Sequence, residues 1–339
     1  MKLPIVYHPH YEAPLKPGHR FPMSKYGYLR EALAERGLMP PGGFLAPAEA
    51  SAGVVELAHD PAYVARVFSQ SLEAPEVKRI GLPNSERMTR RVRLSAAGTT
   101  LAGRLALEHG IAMNAAGGSH HAAREGGSGY CVFNDVAVAA AALLADGVIR
   151  RALVVDLDVH QGDGTARIFE GDTRVFTLSL HAEKNFPTEK AASDLDVPLA
   201  DGLEDDDYLA ALDAALERVE TEAFDVIFYN AGVDVVAEDR LGRLALTADG
   251  LRRRDARVID WARARSSNGG GAPLVGVLGG GYGPDPRLIA ARHAVMFEEA
   301  AKAGGETIWG YSPNSGTSSR TSPKPRIKAV TRRRSPSPR

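Results

Sequence analysis

An apolar run, Ala152-Leu153-Val154-Val155, leads directly into Asp156-Leu157-Asp158-Val159-His160-Gln161-Gly162-Asp163. The run reads as a buried strand. Past its end, two carboxylates and an imidazole fall at alternate positions: Asp156, Asp158 and His160. Alternate residues of extended chain point to the same side. The strand end therefore delivers oxygen, oxygen and nitrogen donors to one place, a set that suits a divalent metal such as zinc or ferrous iron. The plainer alternative is a polar loop at the edge of an α/β sheet.

Other apolar runs rich in β-branched residues read as strands at 111–115, 174–180, 225–230 and 273–278. Between them lie segments with helical spacing, at 90–109, the alanine-rich 133–146, 205–221, 247–264 and 285–302. Strands alternating with helices predict an α/β fold: one doubly wound, mostly parallel sheet with helices on both faces. In such sheets ligands bind beyond the carboxyl ends of the strands.

Four further segments fall at those ends. Gly117-Gly118-Ser119-His120-His121-Ala122 follows the first run; its glycines suit a close backbone approach, and its imidazoles suit acid–base work or a solvent-facing pair. In Ser128-Gly129-Tyr130-Cys131-Val132-Phe133-Asn134-Asp135 an aromatic sits on a glycine turn before an Asn/Asp helix cap, and Cys131 reads as a small buried thiol rather than a nucleophile. Tyr229-Asn230-Ala231-Gly232-Val233-Asp234 ends a strand in a lone carboxylate, a third ligand or a cap. Leu278-Gly279-Gly280-Gly281-Tyr282 brings backbone and a phenol to the same edge; no Lys-Ser/Thr follows, so this is not a phosphate-binding loop of the Walker type.

The net charge of −1 hides an asymmetry. Residues 312–339 hold eight of the 41 Lys and Arg and none of the 42 acids, which leaves the preceding 311 residues at −9. Rich in Ser, Pro and Arg, this stretch is expected to be a disordered tail, separate from a catalytic domain over 1–311. Nucleic acid is not an expected partner except through that tail. The single cysteine excludes an internal disulfide and a cysteine-built zinc knuckle. The N-terminus lacks the apolar core of a signal peptide, and no apolar stretch approaches the roughly 18 residues that span a bilayer. The expectation is a soluble, cytoplasmic protein with no membrane partner. The pattern carries no mark of oligomeric state.

Together these motifs resemble the histone deacetylase superfamily, including its class IV-like, bacterial acetoin-utilisation and acetylpolyamine amidohydrolase branches. The resemblance spans about residues 5–310 and implies the arginase-deacetylase fold. By motif position it implies Asp158, His160 and Asp234 as zinc ligands, with ferrous iron an alternative in the cell. It makes His120 and His121 the tandem histidines, Asp156 and Asp163 their carboxylate partners, and Tyr282 the tyrosine that stabilises the transition state. Asp156, Asp158, His160, Ser179 and Leu180 fall where the family holds a structural monovalent cation, usually potassium. Gly129, Tyr130, Phe186 and Gly280 fall on the acyl-lysine tunnel and Leu241 at its rim. Tyr130 stands where many members have Phe, and Gln161 where class I members have a second His.

The resemblance implies a zinc-dependent hydrolase that removes acetyl or longer acyl groups from lysine, in a peptide or protein, or from a polyamine. The negative body is expected to draw cationic acyl-lysine or acylpolyamine substrates. Two rivals remain: an arginase-like ureohydrolase, which needs ligands for two metals, and a catalytically silent acyl-lysine-binding member.

Overall fold

The computed structural model describes residues 3–265 and 271–304. Among them, seven strands form one sheet in the order β1-β2-β7-β6-β3-β4-β5. They are β1 (Ile5–Val6), β2 (Ile111–Asn114), β3 (Ala152–Asp156), β4 (Val175–Ala182), β5 (Leu195–Leu199), β6 (Val226–Asn230) and β7 (Leu274–Val277). Every pairing is parallel. The helices are α1 (Lys25–Glu35), α2 (Ala52–Val55), α3 (Pro61–Phe68), α4 (Ala74–Ile80), α5 (Glu86–His109), α6 (Asp135–Ala145), α7 (Asp163–Ile168), α8 (Asp205–Arg218), α9 (Ala248–Ala264) and α10 (Pro286–Gly304).

From β3 the chain steps outward through β4 and β5, then returns to lay β6 on the other side of β3 and β7 beyond it. The β3/β6 boundary is thus a topological switch point, where loops diverge and leave a crevice. Register brings Asp156 level with Ser179 on β4 and Asn230 on β6.

The helices form two packed groups, α5 with α6 and α1 with α10, α9 and α8, and both α5 and α10 touch β2. β3 and β6 are buried along their whole length, as central parallel strands covered by helices require. α5 begins a turn earlier than its sequence pattern suggests, because the Ser85 side chain accepts from the Met88 amide. It lies tight on α6, so that a Cβ on Gly103 would stand 2.8 Å from Leu143 Cδ1. The short edge strands β1 and β5 and the N-terminal helices α1 to α4 add to the elements read from the sequence. The basic segment 312–339 lies outside the described residues. No described helix is long and apolar enough to cross a membrane.

Candidate active site

The loops after β2, β3, β6 and β7 meet at the carboxyl edge of the sheet. A Cβ on Gly118 would fall 2.3 Å from the Gly279 amide nitrogen, and Gly118 sits at φ +81°. Only glycine lets the β2 and β7 loops approach so closely. Asn134 caps α6 by accepting from the Ala137 amide at 3.0 Å, as expected. Asp135 turns back instead, accepting from the Ser119 amide at 2.8 Å and the Thr99 hydroxyl at 2.6 Å, and so holds the histidine loop in place.

Asp158, His160 and Asp234 converge, each offering one ligand atom, all within 4.8 Å of one another. His160 Nδ1 lies 2.9 Å from Asp158 Oδ1 and 3.2 Å from Asp234 Oδ2. Asp158 Oδ2 accepts from the Gly280 amide at 2.6 Å, and Asp234 Oδ1 from the Val159 amide at 3.0 Å. Asp234 Oδ2 is buried and has no hydrogen-bond partner. A Cβ on Gly280 would fall 1.9 Å from that same oxygen. Burial and the neighbouring Asp158 push the Asp234 carboxyl up, the mark of two acids crowded into one dry place. An orphaned oxygen, a second carboxylate and a ring nitrogen facing one point fit a divalent cation with a coordination position left open.

The tandem histidines stand beside this cluster. His120 Nδ1 is 2.7 Å from Asp156 Oδ2, His121 Nδ1 is 2.7 Å from Asp163 Oδ1, and the two Nε2 atoms are 3.1 Å apart. Asp156 is steadied by the Asn230 side-chain amide at 2.9 Å. Burial alone would depress His120, but the Asp156 and Asp158 carboxylates outweigh it and hold the ring up at about 9. Burial and the charge on His120 push His121 down to about 4, against the pull of Asp163. Each ring turns Nδ1 to its own carboxylate, which leaves the two Nε2 atoms facing one another beside the ligand cluster.

Tyr282 is buried, and its amide donates to Asp239 Oδ2 at 2.6 Å. Burial and then Asp158 and Asp234 raise its phenol far above the usual range, so it stays a donor. Its ring stands perpendicular to that of His160, centroids 6.3 Å apart. Phe186 meets His121 edge-on at 4.8 Å, and Tyr130 lies 5.9 Å from Tyr282. Tyr130 takes φ +66°, unusual for an aromatic, and its amide is held by Ile80 O at 2.7 Å. Gly129, Tyr130, Phe186, Leu241, His121, His160 and Tyr282 line one hollow of about 630 Å³. Gly280 lies deeper, against the carboxylates. Cys131 is buried, and burial pushes its thiol up, which suits a packing role. Ser179 and Leu180 are buried within β4, Ser179 level with Asp156.

Several supporting residues escape a reading by motif. The buried Lys25 ammonium donates to Gly279 O at 3.1 Å and lies 3.2 Å from His293 Nε2, bracing the loop that carries Gly280 and Tyr282. The buried Arg254 guanidinium donates to Gly232 O at 2.6 Å and Leu157 O at 3.2 Å, so α9 grips the backbones that carry Asp234 and Asp158. Phe21 packs 5.5 Å from Tyr130 and extends the aromatic wall. The one available signal was the phrase His19-Arg20-Phe21-Pro22-Met23-Ser24-Lys25, dense for a loop.

A family profile described as "Histone deacetylase domain" matches residues 19–297. An uncharacterized protein of Picosynechococcus sp. (strain ATCC 27264 / PCC 7002 / PR-6) is 44% identical over 88% of this chain and 99% of its own length. Histone deacetylase 2 of Arabidopsis thaliana is 32% identical over 83% of this chain and 75% of its own. Among solved structures, the HDA15 HD domain superposes with a TM-score of 0.75 at 21% identity, covering 89% of this chain and 90% of that one. An acetylpolyamine aminohydrolase from Burkholderia pseudomallei gives 0.71 at 20%, over 88% and 98%. The structural likenesses establish the fold, and the sequence matches cover most of the chain. The chain belongs to the histone deacetylase family, and that membership supports a hydrolase acting on amides.

Proposed function

We propose that this protein is a metal-dependent deacylase that releases acetyl or longer acyl groups from the amine of a lysine side chain or a related amine. The observation that carries the reading is the orphaned Asp234 oxygen facing Asp158 and His160, beside two histidines that each meet a carboxylate at 2.7 Å and each other at 3.1 Å. Asp158, His160 and Asp234 would hold the metal; zinc is the first choice, and ferrous iron suits the same donors. When bound, the metal would polarise the amide carbonyl and bring the pKa of water toward about 7. Asp156 and Ser179, level on adjacent strands, support the monovalent-cation site that would also take in Leu180 and the backbone of Asp158 and His160.

The His120–His121 pair, each ring held by its carboxylate, takes the proton of the attacking water. The same pair returns that proton to the departing amine. Tyr282 donates to the oxygen of the amide as charge develops there. Tyr130 and Phe186 exclude water from the acyl chain. A single convergent ligand cluster among the described residues favours this reading over a two-metal ureohydrolase.

The test is hydrolysis of a fluorogenic acetyl-lysine peptide with and without a chelator, with metal analysis of the purified protein. Turnover is expected to stop on chelation and return with zinc. Tyr282→Phe is expected to lower kcat by about 10² to 10³, the usual worth of one such donor. His121→Ala is expected to fall at least as far. Turnover that survives the chelator and both substitutions, or a protein that binds no metal, would overturn the reading.

A further inference from the structure

The mouth of the site has a charge opposite to that of the body. The hollow that reaches His121, His160 and Tyr282 adjoins a second, of about 580 Å³, through the shared Leu241 and Tyr282. Six exposed cations line the two: Arg20, Lys78, Arg79, Lys184, Arg240 and Arg243. No aspartate or glutamate lines either. Arg243 pairs with Asp201 at 3.0 Å, and Arg79 Nε is held by Gly127 O at 2.9 Å. Arg20, Lys78, Lys184 and Arg240 form no ion pair with a described acid. A chain whose first 311 residues carry −9 has nonetheless gathered its cations at one opening. The cationic carrier expected from net charge meets a local field of the wrong sign.

We propose that the mouth selects an acyl-lysine flanked by acidic residues, so that the carrier is an acidic peptide segment rather than a polyamine or a basic tail. The proposal rests on the deacylase reading above. The cations come from four separate stretches of chain: one before α1, one at the end of α4, one after β4 and one after β6. A compact phosphate needs donors that converge on a point. Cations distributed along an opening match carboxylates distributed on both sides of an inserted side chain. They act mainly on encounter and orientation, where complementary charge raises association rates by about 10- to 10³-fold.

The experiment uses the full chain loaded with zinc and three acetyl-lysine peptides of equal length, with Glu, Gln or Lys on both flanks. We expect kcat/KM to fall in that order, with Glu above Lys by about 10- to 100-fold at low ionic strength. The difference should largely vanish near 1 M salt, where screening acts within about 3 Å. Lys184→Glu/Arg240→Glu leaves four cations against two new carboxylates and should shrink the Glu-over-Lys ratio several-fold. Fluorescence anisotropy with labelled versions of the peptides reads the mouth without the chemistry. Turnover with no flank preference, or with Lys above Glu, overturns this proposal and leaves the deacylase standing. No turnover, with tighter binding of the Glu peptide that Lys184→Glu/Arg240→Glu weakens, supports the mouth and counts against acetyl as the group removed. Selective binding that the double substitution leaves undiminished overturns the proposal.

Discussion

Buried imidazoles in this protein are pushed in different directions because they have different partners. His120 faces two carboxylates, which push it up; His121, one residue on, is pushed down by burial and by its neighbour's charge. His59 shows the third case. Its Nδ1–H donates to Ala123 O at 2.9 Å, and its Nε2 accepts from the Asn134 amide at 2.9 Å. A second proton on Nε2 would face an N–H, and burial pushes the ring down to about 4. The folded pKa lies below the unfolded value near 6.5, so the unfolded chain binds the proton first as pH falls. This contribution is complete above about pH 6.5 and is lost as pH drops toward 4. Between pH 7 and 5 it should remove about 2 kcal/mol of stability. Urea unfolding at both pH values is expected to show that loss in the wild-type chain and a shallower one in His59→Gln. Equal losses would mean that His59 is not the group that titrates.

α9 shows where an element becomes more than its own pattern. Arg252, Arg253 and Arg254 are consecutive, and such a run reads as a solvated face. Arg252 pairs with Glu298 and Glu299 and Arg253 with Asp206, both at the surface, but Arg254 is fully buried. It pairs with Asp255 at 2.8 Å, and Asp255 also accepts from the Tyr229 hydroxyl at 2.6 Å. Arg254→Met would leave the Asp255 charge buried without its partner and free the carbonyls of Leu157 and Gly232. Chemical denaturation is expected to show a loss of about 3–5 kcal/mol. Zinc affinity should fall with it, because both carboxylate loops lose their tether; a variant of wild-type stability and zinc affinity would disprove the grip. The central strands and the motifs at their ends were legible in the sequence because burial on both faces leaves a continuous apolar run that stops abruptly at polar residues. β5 was not legible: it is half exposed, carries Pro198 and lies on the sheet edge. Lys25 and Arg254 were not, because the groups that make a buried charge tolerable lie far away in sequence. Gly280 was visible as part of a glycine run, but its reason, an oxygen of Asp234 where a Cβ would go, exists only in the fold.

At the scale of the molecule, the parallel sheet gathers onto one edge residues that the chain spreads from Gly117 to Tyr282, and everything the proposed chemistry uses lies within that span. The family match ends at residue 297, and a relative aligned over 99% of its own length needs only 88% of this chain. The basic segment 312–339 therefore stands outside what the family requires for its site. Its eight cations and lack of acids can attract an acidic substrate only at long range. Long-range attraction of that kind is screened over about 10 Å at 0.1 M salt, whereas charges at the mouth act at contact. Removing 312–339 is expected to leave kcat and the urea midpoint unchanged. At physiological salt it should also leave the preference for acidic flanks intact, and lower kcat/KM for the Glu-flanked peptide only at low ionic strength. A fall in kcat or in the midpoint would make the segment part of the folded enzyme. Loss of the flank preference at physiological salt would move the selecting charge from the mouth to the tail.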